Sequence, residues 1–253
     1  MKPACALALP LLLLPANAQA ECRLPDGGTA RAVAAPDGRS LLLEDGREIL
    51  LAGIEAAWPA AQPELLRRVT GRDLQLKALS GQPDRYGRLA AFVTVSGSDI
   101  PVQYDLIAGG FVRAAGAVQP PECRAELLAR ERRARDAGVG LWADPVYDIL
   151  DANDPAAIEA RRGRFAVIEG WVLSVRESGS TIYVNFGRRW SEDFTATIPK
   201  RLQARFTAEK LAPYSLSSRL VRVRGIVEER GGPWIELLRP DQIEFADVSR
   251  VRQ

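Results

Sequence analysis

The chain has 253 residues, 47% of them hydrophobic, with 34 Lys and Arg against 32 Asp and Glu. That composition suits one large domain or two small ones with proper cores, and it excludes a disordered or fibrous chain. A net charge of +2 is too small to hold nucleic acid by overall field, and the absence of His removes Ser-His-Asp and Cys-His catalysis and every imidazole metal site.

Residues 1–20 carry Lys2, an apolar run from Ala4 to Pro15, and Ala18-Gln19-Ala20. A positive start, a short apolar centre and an A-x-A end make a secretory signal cleaved after Ala20. The run is too short to span a bilayer, and no later stretch approaches the length of a membrane span. The expectation is export, to a periplasm if the source is Gram-negative. Cys5 leaves with the signal, so Cys22 and Cys123 remain, and two cysteines in an oxidising compartment are expected to bridge.

From Thr29 the pattern is strands and tight turns. Residues 29–35, 39–44 and 48–54 are separated by Pro36-Asp37-Gly38 and Asp45-Gly46, strong hairpin signals. A helix is predicted over 60–68, strands over 72–79 and 88–95, then helices over 102–109 and 121–137, ending on Gly109-Gly110 and Gly138. Five strands with a helix between the third and fourth suggest a small barrel of the OB type. The four arginines Arg130, Arg132, Arg133 and Arg135 read as one solvated, salt-bridged helix face rather than a nucleic-acid patch, in a chain with 30 Arg and four Lys.

The Asp- and Pro-rich stretch 143–163 reads as a connector with one short helix, dividing a domain over 21–145 from one over 164–253, with 146–163 as the linker. Strands follow at 165–175, 180–187, 193–198, 219–228 and 233–238, with a helix near 200–210. The fold class is therefore α+β, mostly strands, with a second small barrel as the economical reading of the C-terminal part.

Four segments carry a resemblance: Asp37-Gly38 with its strand, Leu51-Ala52-Gly53-Ile54-Glu55, Asp84-Arg85-Tyr86-Gly87-Arg88-Leu89-Ala90, and Glu131 with Ala134-Arg135 followed by Gly140-Leu141-Trp142. In that order they resemble the thermonuclease (staphylococcal-nuclease-like) family over about residues 28–145. The resemblance implies a five-stranded barrel with about three helices. In active members it also implies a calcium-dependent phosphodiesterase acting on DNA and RNA, with carboxylates on the metal, a Glu activating water and two Arg on the phosphate. Carried onto this chain, the acidic ligand after D-G is Arg39, the Arg before L-A-G-I is Leu50, and the Asp after that strand is Glu55. The Pro-Glu pair is Ala57-Trp58, and taking Pro59 for its proline puts Ala60 next. Arg88 and Tyr86 match.

Glu55 is then the sole residual metal ligand, and Arg39 brings a positive charge to the metal position. Two unit charges 4 Å apart interact by about 4 kcal/mol at an effective dielectric near 20, and the term roughly doubles against a divalent ion. No cofactor is expected. The family reaction would need calcium, with Arg88, Glu55 and Tyr86 as the catalytic set and Asp37 or Glu64 as rescuing ligands. Otherwise Arg39, Arg85 and Arg88 remain to bind a phosphate or another anion, or these residues serve only the turns.

In the C-terminal part, Gly170-Trp171-Val172, Tyr183-Val184-Asn185-Phe186-Gly187 and Val221-Arg222-Val223-Arg224-Gly225 resemble an OB-fold of the bacterial nucleic-acid-binding superfamily. Tyr183 and Trp190 are its binding candidates, beside Phe186, Arg188 and Arg189. Because Tyr183 and Phe186 cannot share a strand face without a bulge, at least one is expected in the core. Two functions follow: a non-catalytic binding or scaffolding protein meeting nucleic acid or an envelope protein, or a metal-dependent nuclease with a rearranged site.

Overall fold

The computed structural model describes residues 22–246 except 117, 119 and 120, so the signal expected over 1–20 lies outside the described residues. The N-terminal part runs β1 (Asp26–Ala34), β2 (Ser40–Leu43), β3 (Glu48–Leu51), β4 (Ile54–Glu55), α1 (Ala61–Val69), β5 (Asp73–Ala78), β6 (Arg88–Val95), α2 (Val102–Ala108), β7 (Arg113–Ala114) and α3 (Pro121–Asp136). Five strands close a barrel in the order β1-β2-β3-β6-β5, antiparallel except for β3 against β6. Alternation drives it: Leu41 and Leu43, Ile49 and Leu51, Leu74 and Leu76 point inward and are fully buried. Helix α1 adds Ala61, Leu65 and Val69, one residue per turn on a single stripe.

Two motif glycines have steric reasons. A Cβ on Gly38 would lie 2.5 Å from Ala61 Cβ, so the first turn can approach the start of α1 only without a side chain. Gly53 has φ +78, where a side chain is strained, and a Cβ there would lie 2.5 Å from both Leu127 and Val118. Cys22 and Cys123 form a disulfide with Cα atoms 4.6 Å apart, tying the segment before β1 to the first turn of α3.

The stretch read as a connector carries more structure than expected. Asp144 accepts from the Val146 N–H at 2.9 Å and starts a 3-10 turn, and Asp154 accepts from the Ala157 N–H at 2.9 Å and caps α4 (Pro155–Glu159). Between them β8 (Leu150–Asp151) pairs in parallel with β9 (Phe165–Trp171). The remaining elements are β10 (Ser174–Ser178), β11 (Thr181–Asn185), β12 (Thr195–Pro199), α5 (Gln203–Ala208), β13 (Leu220–Ile226), β14 (Glu228–Arg230), β15 (Gly232–Glu236) and β16 (Ile243–Phe245).

These strands form two sheets, β10-β11-β12-β15-β14 and β16-β13-β9-β8. Both line one core, with Ile168, Val221 and Val223 from the smaller sheet and Ile182, Val184, Ile198 and Ile235 from the larger. The single strand expected over 165–175 is broken at Val172-Leu173. There the chain leaves one sheet for the other: the Val172 N–H bonds Arg219 O, and the Leu173 N–H bonds Asn185 O. No helix among the described residues is long and apolar enough to cross a membrane.

Helix α3 meets both parts of the chain. Its buried stripe reads Cys123, Leu127, Glu131, Ala134, so a carboxylate stands where an apolar residue would continue it. Glu131 Oε1 accepts from the Ala114 N–H at 2.7 Å, and Oε2 accepts from Arg224 Nη1 of β13 at 3.1 Å. Arg224 also donates to Ala114 O at 2.7 Å and to Glu244 of β16 at 2.6 Å. Burial opposes the charge on Arg224, but the two carboxylates outweigh it and raise its pKa. Beside this triad Val118 N–H donates to Asp241 at 3.1 Å, Arg113 donates to Phe165 O at 2.7 Å, and Arg124 pairs with Glu209 at 2.8 Å.

The solvated, salt-bridged arginine face expected on α3 is found in part: the Arg130–Glu126 pair is present, but the four arginines do not share one solvated face. Arg130 pairs with Glu126 and lies over the Tyr104 ring at 4.8 Å, while Arg135 lies over Trp142 at 5.7 Å with its pKa lowered by burial and by Arg222. Arg132 and Arg133 are exposed. The four positions spread around the helix, and a neighbour covers two of them.

Candidate functional site

At the mouth of the barrel, the β1–β2 turn is set by Asp37, whose side chain accepts from the Arg39 N–H at 2.8 Å and from the Ser40 hydroxyl at 3.3 Å. This turn aims Arg39 at Glu55, and Arg39 Nη1 lies 2.5 Å from Glu55 Oε2, an ion pair whose side chains are 34% and 22% exposed. On the other side, β4 pairs with β7 so that Glu55 stands opposite Arg113. Arg113 is buried over the rings of Phe165 and Tyr147, and its pKa is lowered by burial, with Glu131 and Glu55 acting the other way. The one carboxylate therefore faces two guanidiniums. Sequence reasoning missed Arg113 because it sits on a two-residue strand with no periodicity to read.

Arg85 and Tyr86 lie in the loop between β5 and β6, and Arg88 opens β6 opposite Glu48 of β3. Asp84 organises the loop: its carboxylate accepts from the backbone N–H groups of Tyr86 and Arg88 at 2.9 and 3.0 Å and from Arg88 Nη2 at 2.9 Å. These bonds, led by the Arg88 N–H, hold the Asp84 carboxyl below its usual range. Tyr86, 64% exposed, has the Arg85 and Arg88 guanidiniums over its ring at 4.8 and 5.1 Å. At the position of the expected water activator, Trp58 stacks on Phe111 with centroids 5.7 Å apart.

The two rescuing carboxylates are also engaged. Asp37 is committed to its turn, and Glu64 bonds Arg67 at 2.5 Å and Arg68 as well. The Arg67 hydrogen bond, partly opposed by burial and reinforced by Arg68, brings the Glu64 pKa from 4.5 down to about 2. A depressed carboxylate contributes stability above its ordinary value and loses it as pH falls towards the folded value. Glu64→Gln is thus expected to be less stable than wild type at pH 6, with the difference shrinking as pH falls from the ordinary carboxylate range through about 2; thermal melts across that range check this.

The arrangement around residues 58–144 matches a known family model, described as Staphylococcal nuclease homologue. This part of the chain is a staphylococcal nuclease-like domain. The matched span begins three residues after Glu55, so it includes Asp84 to Arg88 and the late helix but leaves out Asp37, Arg39 and Glu55. The barrel that closes around the nuclease-like domain starts further back, at Asp26. Comparison with curated proteins finds no match.

The other two sequence candidates, Tyr183 and Trp190, lie in the C-terminal part. They line a cleft of about 800 Å³ on the open face of the five-stranded sheet, together with Arg176, Arg188, Asn185 and Trp234. Tyr183 faces the cleft, whereas Phe186 is buried against Phe194 with centroids 4.9 Å apart, as the alternation of β11 requires. Trp190, 74% exposed, comes from the loop between β11 and β12. Thr197 accepts from Trp234 Nε1 at 2.5 Å, and Arg230 lies over the Trp234 ring at 3.3 Å, so that aromatic is fixed from two sides.

Proposed function

We propose that this chain is a non-catalytic binding or scaffolding protein, in which a nuclease-like barrel has lost its metal site and a C-terminal OB-like unit supplies the binding surface. The observation that carries this reading is the Arg39–Glu55 ion pair with Arg113 opposite. A divalent cation needs several oxygen ligands and meets here one carboxylate already paired. Each nearby guanidinium opposes it by roughly 8 kcal/mol at 4 Å and an effective dielectric near 20. Among the described residues no three His, Cys, Asp or Glu side chains stand together as a metal site. Trp58 offers no base to activate water, and Arg88 spends its charge on Asp84. The chain is exported by the segment over 1–20, into a periplasm if the source is Gram-negative.

Labelled single-stranded DNA, duplex DNA and RNA, incubated with calcium, magnesium, manganese or EDTA, test the proposal. The expected result is no turnover in any metal and no rise in melting temperature with calcium, since a ligand that binds only the folded state must raise it. Metal-dependent cleavage that disappears in both Arg88→Ala and Glu55→Gln would instead establish a nuclease with a rearranged site.

A further inference from the structure

One row of side chains crosses the open face of the five-stranded sheet from a cation to an anion. The register sets Arg176 of β10 against Tyr183 of β11, Tyr183 against Thr197 of β12, and Thr197 against Glu236 of β15. Arg176 and the Glu236 carboxylate make no ion pair or hydrogen bond with a described residue. Three strand spacings separate them, so the two side chains leave the sheet about 14 Å apart. Between them stands Tyr183, and Trp190 reaches the same cleft from the loop between β11 and β12.

Most other polar groups of the cleft are engaged. Glu177 is held by Lys200 and by the Tyr214 hydroxyl at 2.8 Å, and Asp193 accepts from the Arg189 N–H at 2.7 Å. In the neighbouring row Asn185 donates to the Ser174 hydroxyl at 3.3 Å and accepts from the Thr195 hydroxyl at 3.5 Å. That leaves the Ser174 O–H and one Asn185 N–H to donate to backbone carbonyls. Arg188, on the loop with Trp190, is a third uncommitted charge, suited to a carbonyl or a carboxylate. The row itself is dipolar, cationic at β10 and anionic at β15.

A ligand matched to this row carries an anion and a cation about 14 Å apart, with apolar matter between them. An extended polypeptide rises about 3.4 Å per residue, so side chains four residues apart meet that span and point the same way. Tyr183 and Trp190 offer the aromatic faces on which protein interfaces are anchored. A nucleic-acid strand carries one sign of charge at every step and would bring a phosphate against Glu236. A neutral sugar would leave both ends of the row without partners. Resting on the C-terminal unit as the binding surface, we propose that the cleft takes an extended segment of a partner protein. An acidic side chain of the segment pairs with Arg176, a basic one four residues away pairs with Glu236, and the apolar residues between them pack on Tyr183 and Trp190.

The test is calorimetric titration of the full chain with the peptide Ala-Ser-Glu-Val-Pro-Val-Lys-Ser-Ala, blocked at both ends. Three companions replace its charged pair by two Glu, two Lys or two Gln. The dipolar peptide should bind best, by roughly 5-fold for each mismatched charge, the scale of an exposed ion pair. Glu236→Lys should turn the preference to the two-Glu peptide, and Arg176→Glu to the two-Lys peptide, a switch that mere loss of structure cannot produce. Trp190→Ala should weaken binding roughly 30-fold, as an aromatic anchor does, while Arg132→Glu on α3 changes nothing. Circular dichroism verifies that each variant is folded. Equal affinity for all four peptides, or no binding of any at millimolar concentration, would overturn the inference and leave the loss of cleavage to its own assay. Binding indifferent to Trp190→Ala, Arg176→Glu and Glu236→Lys would overturn both the inference and the C-terminal unit as the binding surface. Tighter binding of a dT strand or a neutral oligosaccharide, lost in Trp190→Ala, would overturn the inference by giving the cleft to that class.

Discussion

Glu131→Ala is expected to destabilise the protein by about 3–5 kcal/mol, the effect of removing one member of a buried ion pair. Arg224 is 1% exposed and Glu131 2%, so water cannot replace the lost partner. The substitution leaves the guanidinium with Glu244 as its one charged partner beside the Ala114 carbonyl, and strips the Ala114 N–H of its acceptor. A buried donor without a partner adds its own penalty of about 1–3 kcal/mol, part of the same total. Urea unfolding of the single variants and of Glu131→Leu combined with Arg224→Met decides the cause. The double variant should recover most of the loss, because an apolar pair of similar volume has no charge to desolvate. If it is no better than Glu131→Ala, the packing of α3 rather than the charge would be responsible.

The second large effect is expected from reduction. Breaking Cys22–Cys123 opens a loop with a sequence separation of 101 residues, and on the chain-entropy account this costs about 4–5 kcal/mol. The loop encloses the whole barrel, and Cys123 is fully buried on the same stripe as Leu127 and Glu131. Melting with and without dithiothreitol, beside the Cys22→Ala, Cys123→Ala double variant, should show the same large downward shift in both. A shift confined to the double variant would mean that reductant does not reach the bond in the folded protein.

Much of the nuclease-like barrel was legible because its strands alternate and its turns carry Asp-Gly. Residues 88–95 are found as read, and the strand expected over 72–79 spans Asp73–Ala78. The short elements were not legible: β8, β14 and β16 have two or three residues each, too few to display a period. In Val221-Arg222-Val223-Arg224 the alternation puts the two arginines on one face of β13. That face is covered by α3 and neighbouring groups, and Arg222 finds Glu169 at 2.6 Å as a charge contact without hydrogen-bond alignment. Period 2 tells which side chains share a face; it does not tell what lies on it. The candidate site was legible in part for the same reason. Arg39 and Glu55 followed from motif positions, whereas Arg113 required knowing that β7 folds back beside β4.

The buried triad also has a direction in time. Glu131 is made 93 residues before Arg224, a lag on the order of 5–20 s at ordinary rates of chain elongation. Until then the Glu131 carboxylate has the Ala114 N–H as its hydrogen-bond partner among the described residues, with the Arg113 and Arg135 charges nearby. The contact that covers this face of α3 is therefore available only once the second half has been synthesised, and a nascent chain halted before Arg224 leaves Glu131 without that guanidinium.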